Sequence, residues 1–99
     1  VRAPYRGGEM TTRPFTFTGK RLTMNYATSA AGSVRVEVQD ADGKPIRGLS
    51  LDDATTHFGD RLEQTVHWGE RTDVSALAGQ PIRLRFVMRD ADVYAIRFR

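Results

Sequence analysis

The sequence predicts an all-β fold, an antiparallel two-sheet β-sandwich of the jelly-roll type. Apolar and polar side chains alternate with a period of two in three segments of the 99-residue chain, at residues 34–39, 81–89 and 94–99. In an extended strand this period places the apolar side chains on one face, so each segment has a face for a shared core. Turn-forming residues recur about every ten residues, as is typical of antiparallel sandwiches.

The chain divides into an arm and a single folded module. Residues 1–8 contain Pro4 and the pair Gly7 and Gly8, which is a composition typical of linkers, so we expect an N-terminal arm there. The β-sandwich module is expected at residues 9–99, close to the commonest size of one domain.

The predicted strands of the module are runs of strand-forming residues that are bounded by turns. The first segment contains Pro14, which suits an edge strand. The segment at residues 44–51 is a shorter strand broken by Pro45 and Gly48, and the others alternate apolar with polar side chains. The predicted strands cover residues 9–17, 21–27, 33–39, 44–51, 61–68, 81–89 and 93–99.

The connections between these strands are predicted from residue type. Small residues at 28–33 indicate a loop, and Asp42 followed by Gly43 indicates a tight turn, because Asp-Gly supplies positive φ. Residues 51–60 have no period of two and predict a long loop. Residues 73–77 predict a helical turn, and residues 90–92 a turn between the last two strands.

Charge and composition narrow the classes of function. The net charge is +3, and 13 of the 15 basic residues are arginine. Arginine makes planar, bidentate contacts with carboxylate, phosphate or sulfate groups. This composition favours an anionic or polyhydroxylated partner, although a high-GC genome would also enrich arginine. Without cysteine the chain has neither disulfides nor thiolate metal ligands.

We do not expect catalysis by this chain. Its two histidines, His57 and His67, lie in no recognised nucleophile motif. A small sandwich also offers little room for the deep cleft in which two carboxylates hydrolyse a glycosidic bond. The carboxylates considered for such a pair are Asp52, Asp53, Asp60, Glu63 and Glu70.

No cofactor and no metal site are expected, with one alternative. The segment from Asp40 to Gly43 resembles the start of a calcium loop, but it lacks the downstream glutamate of that motif, and a hairpin turn explains it more simply. A structural calcium remains as the alternative. No apolar run approaches the roughly 20 residues that span a bilayer, so no membrane contact is expected.

Outward-facing arginines form the strongest candidate for a binding surface. If the predicted strands are neighbours, several guanidinium groups converge on one sheet face with a single glutamate among them, and such crowding favours an anionic partner. The alternative is a face that is solvated or docked on a neighbouring domain. The residues of this candidate are Arg35, Arg83, Arg85 and Arg97, together with Asn25. Nucleic acid is not expected, because exposed aromatic residues are not interleaved with the arginines.

A second candidate site would bind a neutral sugar through an aromatic ring. Trp68 is the only tryptophan, and a pyranose could stack on its ring while nearby loop residues contact the hydroxyl groups. The residues proposed to act with it are His57, Phe58 and Arg71. The alternative is burial of Trp68, because its register places it on the same face as Leu62 and Val66.

The order of several motifs resembles a known module. The motifs are Thr12-x-Pro14-Phe15-x-Phe17-x-Gly19, Leu22-x-x-Asn25, Gly32-Ser33-Val34-Arg35-Val36-Glu37-Val38-Gln39-Asp40, Gly43-x-Pro45-Ile46-x-Gly48, Trp68 and Leu77-Ala78-Gly79-x-Pro81-Ile82-Arg83-Leu84-Arg85-Phe86. In this order they resemble the C-terminal β-sandwich of glycoside hydrolase family 32-like β-propeller proteins.

This resemblance implies a non-catalytic accessory domain of a secreted or periplasmic polysaccharide-degrading protein. The implied partners are a polysaccharide or oligosaccharide and the catalytic domain of the parent protein, and the module itself is expected to be a monomer. The alternative implied function is structural, a sandwich that docks on the catalytic propeller and stabilises it. The motifs are turn and core positions, so they transfer no binding residue.

Overall fold

The computed structural model describes residues 2–3 and 8–99 of the chain, and in this part the fold is all-β. The prediction of an antiparallel all-β fold is therefore confirmed. The only helical element in the described part is a short 3-10 turn at Ser75–Leu77, within the predicted helical turn. The strands are β1 (Arg2–Ala3), β2 (Gly8–Thr11), β3 (Leu22–Asp40), β4 (Asp60–Thr65) and β5 (Ile82–Phe98).

All five strands belong to one antiparallel sheet built around the pair β3 and β5. The order is β1-β5-β3-β4, and β2 also pairs with β5. The N-terminal half of β3 pairs with the C-terminal half of β5, and the C-terminal half of β3 pairs with the N-terminal half of β5. The predicted arm at residues 1–8 lies partly outside the described residues, but Arg2–Ala3 and Gly8 pair with β5 and so belong to the sheet.

Strands β3 and β5 are too long to be straight. The 19 residues of β3 would extend over about 60 Å at about 3.3 Å per residue. The longest dimension of the molecule is only 35 Å. Both strands must therefore bend within the molecule.

The bend lies where the pairing of β3 with β5 changes register. Pairing stops after Thr28 and Ala91 and resumes at Ser33 and Arg89, so residues 29–32 of β3 face a single residue of β5. That residue, Asp90, has a φ of 42°, a left-handed conformation that an aspartate tolerates better than most residues. The sequence predicted a loop at residues 28–33 and a turn at residues 90–92. Both predictions are wrong in type, because the strands continue through these positions as one bulged ribbon.

The other predicted strands are shortened. The first strand was predicted at residues 9–17. The regular strand β2 ends at Thr11, and an isolated bridge between Phe15 and Ile82 follows it. Residues 44–51 run beside β3 through scattered backbone hydrogen bonds, such as Ile46 N–H to the Val38 carbonyl at 2.9 Å, and form no continuous strand. Loop residues therefore cover the core where regular strands were expected.

The core lies against one face of the bent sheet. Apolar residues of β3, and of β5 up to Val93, alternate inward as predicted, and residues from the connecting segments cover them. Tyr94, which the alternation placed on the apolar face, is 66% exposed. Phe17 stacks on Phe98 with ring centroids 4.1 Å apart, while the backbone of Phe15 pairs with Ile82. The segment at residues 15–17 thus connects the beginning of β5 with its end. The buried apolar residues are Phe17, Leu22, Met24, Tyr26, Val34, Val36, Val38, Leu49, Val66, Trp68, Val74, Ile82, Leu84, Phe86, Met88, Ala91 and Val93.

Candidate functional site

The outer face of β2, β3 and β5, opposite the core, holds three of the predicted arginines. Arg83 lies across from Gln39 and Arg85 lies across from Glu37. The residue across from Arg35 is Val87. The strands that carry these arginines are therefore neighbours, as the binding hypothesis required.

Arg85 is neutralised by two carboxylates on this face. Its Nη2 lies 2.6 Å from Oε2 of Glu9, and its Nη1 lies 3.4 Å from Oε2 of Glu37. The hydrogen bond to Glu9 raises the pKa of Arg85 above its usual value, burial acts in the opposite direction, and Glu37 adds to the increase. Arg85 is thus engaged within the protein and is poorly placed to bind a ligand.

Glu37 is the buried acid that organises the centre of the outer face. Its side chain is only 3% exposed, and its carboxylate accepts hydrogen bonds from Gln39 Nε2 at 2.8 Å and from the Leu51 backbone N–H at 3.1 Å. A buried carboxylate needs such donors, because burial without them is unfavourable. Glu37 therefore holds the loop after residue 50 against β3.

The remaining two arginines differ in their contacts. Arg83 is half-buried, and its Nε donates to the Ala41 carbonyl at 3.0 Å, which holds it beside the turn that follows β3. Arg35 is also half-buried, and among the described residues it makes no ion pair and no side-chain hydrogen bond. Of the three, Arg35 is the guanidinium that is available to a ligand.

Arg35 lines an open groove of about 420 Å³ on the outer face, which we call the Arg35 groove. The groove runs between β2 and the C-terminal half of β3, with β5 as its floor. Its lining is mixed, because it includes two arginines, the acidic Glu9 and the apolar Val87. The lining residues are Gly8, Glu9, Ser33, Arg35, Val87, Met88 and Arg89.

Arg97 and Asn25 lie on the other half of the ribbon, away from the Arg35 groove. Arg97 Nη1 is 3.9 Å from Oε1 of Glu63, and Asn25 Oδ1 accepts a hydrogen bond from the Glu63 backbone N–H at 2.6 Å. This bond supports Glu63 at its positive φ of 53°. The predicted row of four arginines with Asn25 therefore divides into two groups.

The predicted aromatic platform is not formed, because Trp68 and His57 are buried. Trp68 is 3% exposed, and its Nε1 donates to the Val36 carbonyl at 2.8 Å. His57 is 5% exposed and pairs through its backbone with Val34. Neither ring offers a face to a sugar, because the register of Trp68 directs it into the core, as the alternative interpretation held.

Phe58 and Arg71 are exposed but belong to different loops. Phe58 is 66% exposed, and its carbonyl accepts a hydrogen bond from the Tyr26 hydroxyl at 3.1 Å. Arg71 closes a tight turn with Trp68, and its Nε donates to the Asp73 carbonyl at 3.4 Å. Without the ring of Trp68 between them, they do not form the predicted sugar platform.

His57 is buried beside two other titratable side chains. The His67 ring packs edge-on at 5.0 Å and the Tyr26 ring at 6.2 Å, measured between ring centroids. Burial lowers the pKa of His57 to about 4, and the neighbouring His67 contributes in the same direction. Its Nε2 has no hydrogen-bond partner in the described part of the protein. His57 is therefore neutral near pH 7.

Sequence reasoning missed Glu9, Ser33 and Val87 as groove residues. Ser33 and Val87 share the alternation of their strands with Arg35 and Arg85, so the period of two could have identified them. Glu9 could not be identified, because its place beside Arg85 depends on the pairing of β2 with β5. That pairing is set by tertiary structure.

The turn after β3 accounts for the calcium-like segment. Oδ1 of Asp40 accepts hydrogen bonds from the backbone N–H groups of Asp42 at 2.9 Å and Lys44 at 3.0 Å, and Gly43 has a φ of 87°. Within residues 8–99, no three histidine or acidic side chains cluster as metal ligands would. None of the helices in the same range has the length and apolar character to cross a bilayer.

Comparison of the chain with protein-family models, with curated proteins and with solved structures found no match.

Proposed function

We propose that this protein is a non-catalytic carbohydrate-binding module that recognises an acidic glycan at the Arg35 groove. The observation that carries the proposal is the position of Arg35, which lines an open groove without an acidic partner in the described part of the chain. A guanidinium in this position can contact a carboxylate or sulfate group through two parallel hydrogen bonds. The glycan would lie across the sheet surface with little change in the protein.

The geometry favours an acidic glycan over a neutral one. A neutral sugar was expected to stack on Trp68, whose ring is buried. The Arg35 groove instead combines the cationic Arg35 with the apolar side chain of Val87, which can contact the C–H face of a sugar ring. For such a shallow site we expect a Kd of about 10 μM to 1 mM.

The proposal includes the two-layer jelly-roll arrangement that the sequence predicted. The two halves of the bent ribbon of β3 and β5 share a single core cluster, which supports their assignment as the two layers of a sandwich. Such a module would be a monomer that contributes substrate binding to a larger secreted or periplasmic protein. In the resembled family the catalytic acids lie in the propeller.

A structural module that docks on the catalytic domain is the second candidate. Leu62 is 84% exposed and Tyr94 is 66% exposed, and both line the same hollow. Exposed apolar side chains of this size in one place favour a protein contact. The two candidates use different surfaces of the molecule.

The acidic-glycan proposal predicts that Arg35→Gln weakens binding to uronic or sulfated oligosaccharides about tenfold, as loss of one charged hydrogen-bonded contact would. Affinity electrophoresis and isothermal titration calorimetry measure this change. Raising the salt concentration from about 0.05 M to about 0.5 M should also weaken binding, because screening reduces attraction between exposed charges.

Arg21→Gln is the matched control. Arg21 is an exposed arginine directly before β3, at one end of the ribbon, whereas the Arg35 groove lies beside the bend. Its replacement removes the same charge without affecting the groove. Equal weakening by both variants would show a general charge effect and contradict the proposal. Retention on neutral glycans alone would contradict it as well.

A further inference from the structure

Three residues form a row across the Arg35 groove. Val87 on β5 pairs with Glu9 on β2 and with Arg35 on β3. Residues that lie directly opposite each other on neighbouring strands project from the same face of a sheet, so all three side chains lie on the outer face. Two strand spacings separate the backbones of Glu9 and Arg35, which is about 10 Å. An acid and a base therefore lie on the two sides of one apolar side chain.

The carboxylate of Glu9 is held in place through one of its two oxygens. Arg85 donates to Oε2 from two nitrogens, from Nη2 at 2.6 Å and from Nε at 3.1 Å. No described residue donates to Oε1 of the same carboxylate. The side chain of Glu9 is 55% exposed and lines the groove, so a ligand there can reach Oε1. Glu9 thus has one oxygen fixed by the protein and one oxygen available as a hydrogen-bond acceptor.

The two charged walls of the groove have opposite hydrogen-bonding roles. A guanidinium only donates hydrogen bonds, whereas an ionised carboxylate only accepts them. A complementary ligand therefore carries an anionic acceptor for Arg35 and a hydroxyl donor for Glu9, joined by a carbon framework that passes over Val87. A uronate residue of a glycan has these groups, because its ring carries one carboxylate and several hydroxyl groups.

We propose that Glu9 makes the Arg35 groove specific for uronate residues with unmodified hydroxyl groups, an inference that rests on the proposed acidic-glycan function. The carboxylate of the sugar binds Arg35, the ring lies over Val87, and one hydroxyl donates to Oε1 of Glu9. Arg35 provides the attraction to an anion, and Glu9 determines which anion is accepted.

Sulfated glycans are disfavoured by the same carboxylate. A sulfate ester in place of the hydroxyl has no proton to donate to Oε1, and its negative charge is repelled by Glu9. Arg85 does not compensate for this repulsion, because Glu9 and Glu37 already pair with its guanidinium. The groove therefore distinguishes carboxylated from sulfated glycans, although both are anionic.

Isothermal titration calorimetry with paired probes measures this preference. The probes are uronate tetrasaccharides of the galacturonate, guluronate and mannuronate series, each compared with its O-sulfated derivative. We expect the full chain to bind at least one uronate about tenfold more tightly than its sulfated derivative, as one hydrogen bond to a charged group would give. Glu9→Gln should lower this ratio to about one, because a neutral amide is a weaker acceptor and does not repel sulfate.

Glu63→Gln is the matched control. The side chains of Glu63 and Glu9 are equally exposed, at 55%, and each pairs with arginine, but Glu63 lies on the half of the ribbon that holds Arg97. This variant removes the same charge and should leave the ratio unchanged. An equal change of the ratio in both variants would show a general effect of net charge and overturn the proposal.

The outcomes separate the role of Glu9 from the proposed glycan function. Binding of the sulfated derivatives at least as tightly as the uronates would overturn the role of Glu9, and so would an unchanged ratio in Glu9→Gln. In either case, weaker binding of these glycans by Arg35→Gln would still support the acidic-glycan function. Absence of binding to every uronate and every sulfated derivative would overturn both.

Discussion

At the scale of single residues, buried polar groups are satisfied by specific partners. The Trp68 Nε1 donates to a β3 carbonyl, and the Glu37 carboxylate receives donors from three directions. A buried polar atom without a partner costs about 1–3 kcal/mol, so these contacts fix the positions of both side chains. His57 is the exception, because its Nε2 has no described partner.

His57 makes stability depend on pH. Its pKa is about 4 in the folded protein and 6.5 ordinarily, so between these values the unfolded chain binds a proton more readily. Above about pH 6.5, neutral His57 contributes its full share of the free energy of unfolding. This contribution, about 3 kcal/mol, is lost as the pH falls from about 6.5 through about 4. Urea unfolding measured from pH 7 to pH 4 should show this loss.

His57→Phe is the variant that tests this assignment. It keeps an aromatic ring beside Tyr26 and His67 but removes the proton-binding group, so its stability should fall less steeply over the same pH range. Parallel curves for the variant and the original protein would show that other groups cause the pH dependence.

At the scale of elements, the bulge in β3 determines the course of both long strands. Gly32 is in contact with β5 at the bend, where an added Cβ would lie 2.5 Å from the carbonyl oxygen of Asp90 and 2.6 Å from that of Arg89. Any side chain there must push two backbone segments apart. The bend therefore requires glycine because of this close approach.

Gly32→Ala should destabilise the protein by about 1–3 kcal/mol through overpacking against the backbone of β5. For a domain of this size, that corresponds to a decrease in Tm of about 5–15 °C, measurable by circular dichroism. Ala30→Val is the control, because Ala30 lies in the same bulge with an exposed side chain. A Tm for Gly32→Ala that equals that of the control would contradict the close approach.

At the scale of the whole molecule, one core cluster holds the two halves of the ribbon together. Phe17 and Phe98 stack where the beginning and the end of β5 meet. The contact links residues that are distant along the chain. The free energy of unfolding should therefore depend strongly on this contact.

Phe17→Ala should lower the free energy of unfolding by about 3 kcal/mol, because it removes a ring that is 93% buried and leaves a cavity. Phe58→Ala removes the same group from a position that is 66% exposed, so its effect should be within about 0.5 kcal/mol. Chemical denaturation measures both, and similar losses would show that the ring of Phe17 does not close the fold.

The alternation of side chains predicted which residues of the central strand pair face the core, but it failed at Leu62 and Tyr94, which are 84% and 66% exposed. Val34, Val36, Leu84 and Phe86 are buried as the period of two required, and Arg35 and Arg85 lie on the other face. The alternative of core burial for Trp68 also followed from register. Local patterns are reliable here because the faces of a strand depend only on the backbone geometry of neighbouring residues.

The strand boundaries and the contacts between segments could not be predicted in the same way. Small residues near Gly32 indicated a break, but whether a bulged strand or a loop formed depended on β5 lying opposite. Glu9 was placed beside Arg85 only by the pairing of β2, and this contact decides which arginine is neutralised.

The sequence by itself determined the all-β class, the inward and outward faces of the strands, and an arginine-bearing surface, because each follows from side-chain periodicity. Only the tertiary structure decided that Arg85 is paired with acids and that Arg35 lines a groove. These properties depend on segments that are distant in sequence and meet only after the ribbon bends, so no local pattern encodes them.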